Sequence, residues 1–351
     1  MSDNPKEAEK QMEKAIFISA DCWLSVFDLL PPFQLGLGIA MISRRFDYFV
    51  DEHFKTRKWT LEDEIRIQCK SGENFKMESV DSDREALPIP QIPLPNKVIG
   101  FRSIMIEYID HNVLTFLHRF DRLFATFETI LYIDIENVRI LKFVMLSIGW
   151  PMFNDTIREM VFNHTFRQSF CRMRQLAPSI LNDLPSLRVV GFYGTILPEF
   201  PPDDSANASE GQAVAKWLFT PRPDKLMKAL FIKDSAIRRW EAKVEQIKTA
   251  FRSASSPVNF VIRVDFLPSL YFSSPWPFEL TNEFTQEKLT LSKENAKRFV
   301  LIRCPIAAAD DWFKEYKKSL RQTKKIGILI GNHGFDDGLL DAASTNSSID
   351  H

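Results

Sequence analysis

Apolar residues recur at helical spacing in three short runs between Ser19 and Phe54. Trp23, Val26, Phe27 and Leu30 fall at i, i+3, i+4 and i+7, one face of a helix. Leu35, Ile39 and Ile42 make a second run, and Phe46, Phe49, Val50 and Phe54 a third. Ser19 or Asp21 is placed to cap the first and Ser43 the third, because a short side-chain oxygen satisfies free N–H groups of the first turn. Pro31-Pro32 ends the first helix, since proline disfavours helix in the residue before it and has no N–H to donate. Gly36 and Gly38 fall inside the second, each at a cost of about 1 kcal/mol relative to Ala. A segment of about 40 residues lies near the lower limit for folding alone. The three helices are therefore expected not to close a private core, and to need cover from the rest of the chain or from a partner.

Further along, the period changes. LEDEIRIQ, residues 61–68, alternates as a strand, and Pro88, Pro90, Pro93 and Pro95 favour an extended connector. Residues 61–97 thus read as a strand plus a proline-rich linker. Over 98–333, strand-like runs centre near Ile106, Ile133, Val161, Val190, Phe231 and Val261, spaced 27, 28, 29, 41 and 30 residues apart. Helical patterns such as HNVLTFLHRFDRLFA, NVRILKFVMLSIG and IRRWEAKVEQIKTAF lie between them. The long interval holds a polar insert, PEFPPDDSANASEGQ, which reads as a surface loop. Each β/α unit must lay its apolar face on the next. Right-handed crossovers then give an open solenoid or a flat doubly wound sheet. The steady period, and the lack of a glycine-rich phosphate loop after the first strand, favour the solenoid. LPSLRVV, residues 184–190, has the local look of a leucine-rich repeat.

PFELTNEFTQEKLTLSKENAKRFVLIRCP predicts two or three antiparallel strands. DDWFKEYKKSLRQ follows as a basic amphipathic helix and KIGILIG as a last strand. Residues 1–14 and 334–351 are polar tails expected to be disordered.

The order Val26-Phe27, Leu29-Leu30, Pro31, Leu35, Ile39-Ala40, Ile42-Ser43, Arg44-Arg45, Phe46 resembles an F-box, the adaptor-binding motif of cullin–RING ubiquitin ligases. The opening Leu-Pro of that motif is replaced here by Ile18-Ser19-Ala20-Asp21. The end of the chain more loosely resembles the C-terminal regions of lineage-expanded animal F-box proteins. The resemblance implies an α/β chain in which residues 15–60 form a three-helix F-box. An irregular leucine-rich-repeat-like β/α domain with a C-terminal antiparallel hairpin region would follow. It implies a non-catalytic substrate-recognition subunit of a Skp–cullin–F-box ligase. Val26, Phe27, Leu30, Pro31, Leu35, Ile39 and Ile42 would contact the Skp-type adaptor, and the repeat region a target protein. Periodicity alone leaves a second reading open, a repeat-type interaction scaffold whose helices merely cap the first strand.

Composition narrows the alternatives. Lys+Arg 45 against Asp+Glu 46 argues against a dedicated nucleic-acid or membrane-surface binder. No apolar run approaches the ~20 residues that span a bilayer, and the polar start lacks a signal-peptide pattern. A cytoplasmic or nuclear protein is expected. Cys22, Cys69, Cys171 and Cys304 are scattered without CxxC, as for free thiols. No nucleophile elbow, HExxH or Walker loop occurs, and no cofactor is expected. His111 and His118 share a helical face without further ligands, so no metal is assigned. Gly331-Asn332-His333-Gly334 reads as a turn, Asp310-Asp311 as a helix cap, and Asp336-Asp337 as solvated tail. Lys314, Lys317, Lys318, Arg321, Lys324 and Lys325 read as a basic surface.

Overall fold

The computed structural model describes residues 18–55, 59–68, 76–79, 87–88, 98–119, 128–133, 135, 137–145, 154–162, 168–194, 196–234, 240–266, 277–295, 297–308 and 325–335. The chain opens with helices α1 (Ala20–Phe27), α2 (Pro32–Leu37) and α3 (Arg44–His53), with a 3-10 turn at Ile39–Met41. Ser19 caps α1 by accepting the Cys22 N–H, and Ser43 caps α3 by accepting that of Phe46. Pro32 occupies the first turn of α2, where its missing N–H is not needed. The second helical pattern is broken in two: α2 stops at Gly38, and the chain continues as the 3-10 turn.

Strands β1 (Trp59–Gln68), β2 (Lys76–Ser79) and β3 (Leu87–Pro88) come next. β1 falls where 61–68 reads as a strand and lies parallel to β4 (Val98–Ile109); within the expected linker, β2 and β3 continue the same sheet antiparallel, and the rest of 69–97 lies outside the described residues. The chain then alternates through α4 (His111–Arg119), β5 (Glu128–Ile133), α5 (Val138–Val144) and β6 (Ile157–Phe162). It continues through α6 (Gln168–Leu176), α7 (Ile180–Asp183), β7 (Val189–Tyr193), α8 (Glu210–Phe219) and β8 (Lys228–Asp234). Helix α9 (Trp240–Arg252) leads to β9 (Phe260–Phe266), the antiparallel strands β10 (Phe278–Asn282), β11 (Glu287–Asn295) and β12 (Arg298–Pro305), and finally β13 (Lys325–Phe335).

Among the described residues, thirteen strands form one mixed sheet in the order β10-β11-β12-β9-β8-β7-β6-β5-β13-β4-β1-β2-β3. The protein is mixed α/β. From β5 to β9 each strand lies beside its predecessor, parallel and always displaced in one direction. Crossovers of one hand advancing in one direction lay their helices on one face of a sheet. Side-chain rows follow from the register. Leu131, Met160, Val190, Leu230, Ile262 and Leu301 form one row, and Ile133, Phe162, Phe192, Ile232, Val264 and Phe299 the next. Both rows are buried in one continuous core shared with helix residues such as Leu141, Trp217 and Ile247. The rings of Phe162 and Phe192 stack 5.2 Å apart within the second row.

Strand β13, expected as the last strand of the chain, inserts between β4 and β5, parallel to both. Gly331-Asn332-His333-Gly334 belongs to this strand, at a register irregularity between Ile330 and Gly334, rather than to a turn. The strand runs through Phe335, into what reads as tail. The polar insert is not loop throughout: Ser209 and Gln212 form a reciprocal capping box and start α8.

Candidate interaction surfaces

The N-terminal helices close a small core of their own. Phe27, Leu35, Ala40, Val50 and Phe54 are buried together, with Trp23, Leu24, Leu30, Ile39, Phe46 and Phe49 packed around them. Trp23 meets Phe46 edge-on at 4.8 Å. The expectation that these helices close no private core is thereby corrected: side chains from all three turn inward and aromatic bulk makes up for short length. Among the described residues, Leu37 of α2 joins the main core that also holds Ile67 of β1.

Of the residues expected at an adaptor interface, Phe27 and Leu35 are 0% and 1% exposed and therefore face inward. Leu30, Pro31 and Ile39 are half-buried. Val26 is 43% exposed and Ile42 64%, and Leu29 beside them 83%. The unit thus seals a core and still presents large apolar side chains to the outside.

The second surface is the face of the sheet opposite the helix-side rows. There the register aligns Tyr132, Val161, Gly191, Phe231 and Arg263 across β5 to β9. Alongside runs a more polar row, Tyr193, Lys233, Asp265 and Arg298. Together with Glu159, all of these but Arg298 line a shallow hollow of about 210 Å³. Gly191 leaves its centre open between Val161 and Phe231. Lys233 sits 5.2 Å from the Tyr193 ring centre, and the Arg263 guanidinium 5.6 Å from that of Phe231. Asp265 accepts from both Arg263 and Arg298 at 2.5 Å. Burial pushes the Asp265 carboxyl up, but hydrogen bonds from the two arginines outweigh it and hold the carboxyl below its ordinary value. Toward β12 the same face becomes apolar, with Met227, Val261, Val300, Ile302 and Cys304 buried as a second small cluster.

The alternation in ILYIDI, VVGFY, LFIKD and VIRVDF already separates these two faces. The sequence does not say which parity faces the helices, so the open-face residues were not legible as a group.

Reactive side chains stand apart. Cys304 is buried in the apolar cluster, and burial pushes its thiol up to about 11, far from a thiolate. Burial, followed by Glu210, also raises Cys171, while Cys22 is exposed on α1. Among the described residues, no group of three or more His, Cys, Asp or Glu is placed to hold a metal ion. None of the described helices is long and apolar enough to cross a membrane. Cys69, Asp310-Asp311, Asp336-Asp337 and the basic run from Lys314 to Lys324 lie outside the described residues.

No protein-family model, no curated protein and no solved structure matches the chain.

Proposed function

We propose that this protein is the substrate-recognition subunit of a Skp–cullin–F-box type ubiquitin ligase, acting in the cytoplasm or nucleus. The observation that carries the reading is the helical unit with a sealed core and uncovered Val26, Leu29 and Ile42. Large apolar groups left outside a folded unit favour docking into a partner's groove. Val26, Leu30, Pro31, Ile39 and Ile42 would meet the Skp-type adaptor, while Phe27 and Leu35 hold the helices that present them. The one-directional strand order fits the leucine-rich-repeat-like solenoid expected from the period. Its open face, with Tyr132, Tyr193, Phe231 and Lys233, would receive the target. The subunit does no bond chemistry; it raises the effective concentration of the target near the ubiquitin-charged enzyme.

The test is binding of the full chain to a purified Skp-type adaptor by calorimetry. A stable complex is expected, weakened at least tenfold by Val26→Asp or Ile42→Asp without a shift in melting temperature. Absence of a complex at micromolar concentrations would refute the proposal. The packing of α2 beside β1, with Leu37 in the main core, favours a second reading, a scaffold whose helices only cap β1. That reading predicts no adaptor binding and general loss of stability when the helices are disturbed.

A further inference from the structure

One glycine on the open face of the sheet has no reason in the fold itself. Gly191 lies in the interior of β7, in unbroken register with Val161 of β6 and Phe231 of β8. Its backbone is outside the left-handed region, and a Cβ at this position would meet Val161 at 3.6 Å and 3.7 Å, which is ordinary contact. A side chain is thus allowed where the strand carries none. Glycine inside a strand weakens it, and marks a bulge, a bend or a place that another molecule approaches closely. The regular register leaves the last of these. Gly191 sits in the floor of the hollow of about 210 Å³, with Tyr132 two strands away on one side and Phe231 beside it on the other. Tyr132 is 36% exposed and Phe231 half-buried.

Two residues further along the strands the chemistry changes. Lys233 stands between Tyr193 and Asp265 in the register. Asp265, however, is taken by Arg263 and Arg298, each at 2.5 Å, and Glu294 lies 3.8 Å from Arg298. The two arginines are therefore matched by two carboxylates. Lys233 lies over the Tyr193 ring, and among the described residues neither its ammonium nor the Tyr193 hydroxyl has an ion-pair or hydrogen-bond partner. Glu159, the other acid of the hollow, stands on the far side of the Gly191 row, aligned with Val189. The hollow thus joins an apolar floor to one unmatched cation, offset by two residues, about 7 Å along a strand.

We infer that this hollow binds an extended acidic segment of a partner protein in which an aromatic side chain and a carboxylate stand two residues apart. In an extended chain, side chains two residues apart point the same way at that same spacing of about 7 Å. The ring lies over Gly191, between Tyr132 and Phe231, where a side chain on β7 would otherwise sit. The carboxylate then accepts from the Lys233 ammonium and the Tyr193 hydroxyl, one negative charge against one unmatched cation. Such a charge match fixes the register of the segment and rejects basic ones. The inference rests on the reading of this face as the one that receives a target, and it supplies the chemistry of that target.

The probe is the peptide acetyl-Glu-Gly-Phe-Gly-Glu-amide, which offers a carboxylate two residues to either side of the ring. It is titrated at millimolar concentration onto the full chain, without adaptor, and followed by saturation-transfer NMR. It is expected to bind, the same peptide with Gln for Glu at least tenfold more weakly, and the one with Ala for Phe not at all. Gly191→Val fills the hollow and is expected to abolish binding without lowering the melting temperature. Lys233→Gln, at an exposed position, is expected to bring the Glu peptide down to the affinity of the Gln peptide. No binding of the first peptide, equal binding of the Glu and Gln peptides, binding that survives in folded Gly191→Val, or a preference for Glu that survives in Lys233→Gln would overturn the proposal. Adaptor binding by both variants is expected to match that of the parent chain. Its absence in the parent would refute the ligase reading and leave the peptide result standing.

Discussion

Glu287 and Arg303 offer the sharpest test of how the antiparallel end of the sheet is held. Each side chain is 1% exposed, and the Arg303 Nη2–Glu287 Oε2 distance is 2.6 Å. The other Glu287 oxygen accepts the Val258 N–H at 2.7 Å, tying β11 to the approach of β9. Glu287→Gln keeps the shape and deletes the charge, leaving a guanidinium buried with no counter-ion. Breaking one side of such a pair costs about 3–5 kcal/mol, against about 0–1 kcal/mol for an exposed pair. Total stabilities run to about 5–15 kcal/mol, so the single change removes a large share. Arg303→Met with Glu287→Leu removes both charges at similar volume. Its residual cost is the orphaned Val258 N–H, about 1–3 kcal/mol. Urea unfolding read by tryptophan fluorescence should therefore rank the double variant above Glu287→Gln. A Glu287→Gln loss under about 1 kcal/mol would show the pair to be screened like a surface one. A double variant as costly as the single ones summed would show the two groups to be uncoupled, and either result would refute the reasoning.

Lys228 supplies a pH test. Burial, followed by repulsion from Arg222, pulls its amine from 10.5 down to about 7, against the opposing pull of Asp224. The folded value lies below the unfolded one, so protonation favours unfolding. The penalty is full below about 7 and fades as pH rises toward 10.5. The gap of 3.5 between those values caps the gain at about 5 kcal/mol. Denaturation midpoints should rise from pH 7 to 9.5, and Lys228→Met should flatten that rise; an equal slope in the variant counts against the mechanism. Gly211→Ala would set a Cβ 2.6 Å from the Leu197 carbonyl and 2.4 Å from Glu199 Cγ. Because the backbone must move, a loss of about 1–3 kcal/mol is expected in thermal unfolding, and an unchanged melting temperature would show the Leu197–Glu199 segment to be loose. Phe27→Ala should cost about 3–5 kcal/mol within the N-terminal helices, with faster amide exchange over 20–53 and the sheet unaffected. Equal acceleration in β5 to β9 would show that the two cores unfold as one.

Much of this fold is written in local periodicity. The strands β5 to β9 and helices α4, α5, α6 and α9 lie where the alternation and the 3.6-residue pattern place them, as do the three antiparallel strands after residue 277. What local pattern does not carry is partner choice. KIGILIG is a clear strand, but its insertion between β4 and β5 closes contacts 197 residues long in sequence to β5 and 224 to 226 to β4, and no window sees that. The prolines near residue 90 suggest a linker, yet Leu87–Pro88 pairs at the sheet edge, where a missing N–H is tolerated. The start of α8 was legible in Ser209 and Gln212, a capping-box pair hidden in polar surroundings. At the N-terminal helices the apolar set was readable, but its division was not. Phe27 follows Val26 by one position, and one turns in while the other turns out. The Arg303–Glu287 pair, sixteen residues apart across a hairpin, carries no sequence signature.

The central claim is that apolar side chains on the outside of α1 to α3 dock onto a Skp-type adaptor. Hydrogen exchange of the full chain, measured with and without saturating adaptor, addresses it directly. Protection concentrated between residues 20 and 53, lost in Val26→Asp, is the predicted result. Unchanged exchange there, or protection confined to the open face of the sheet, would contradict the account.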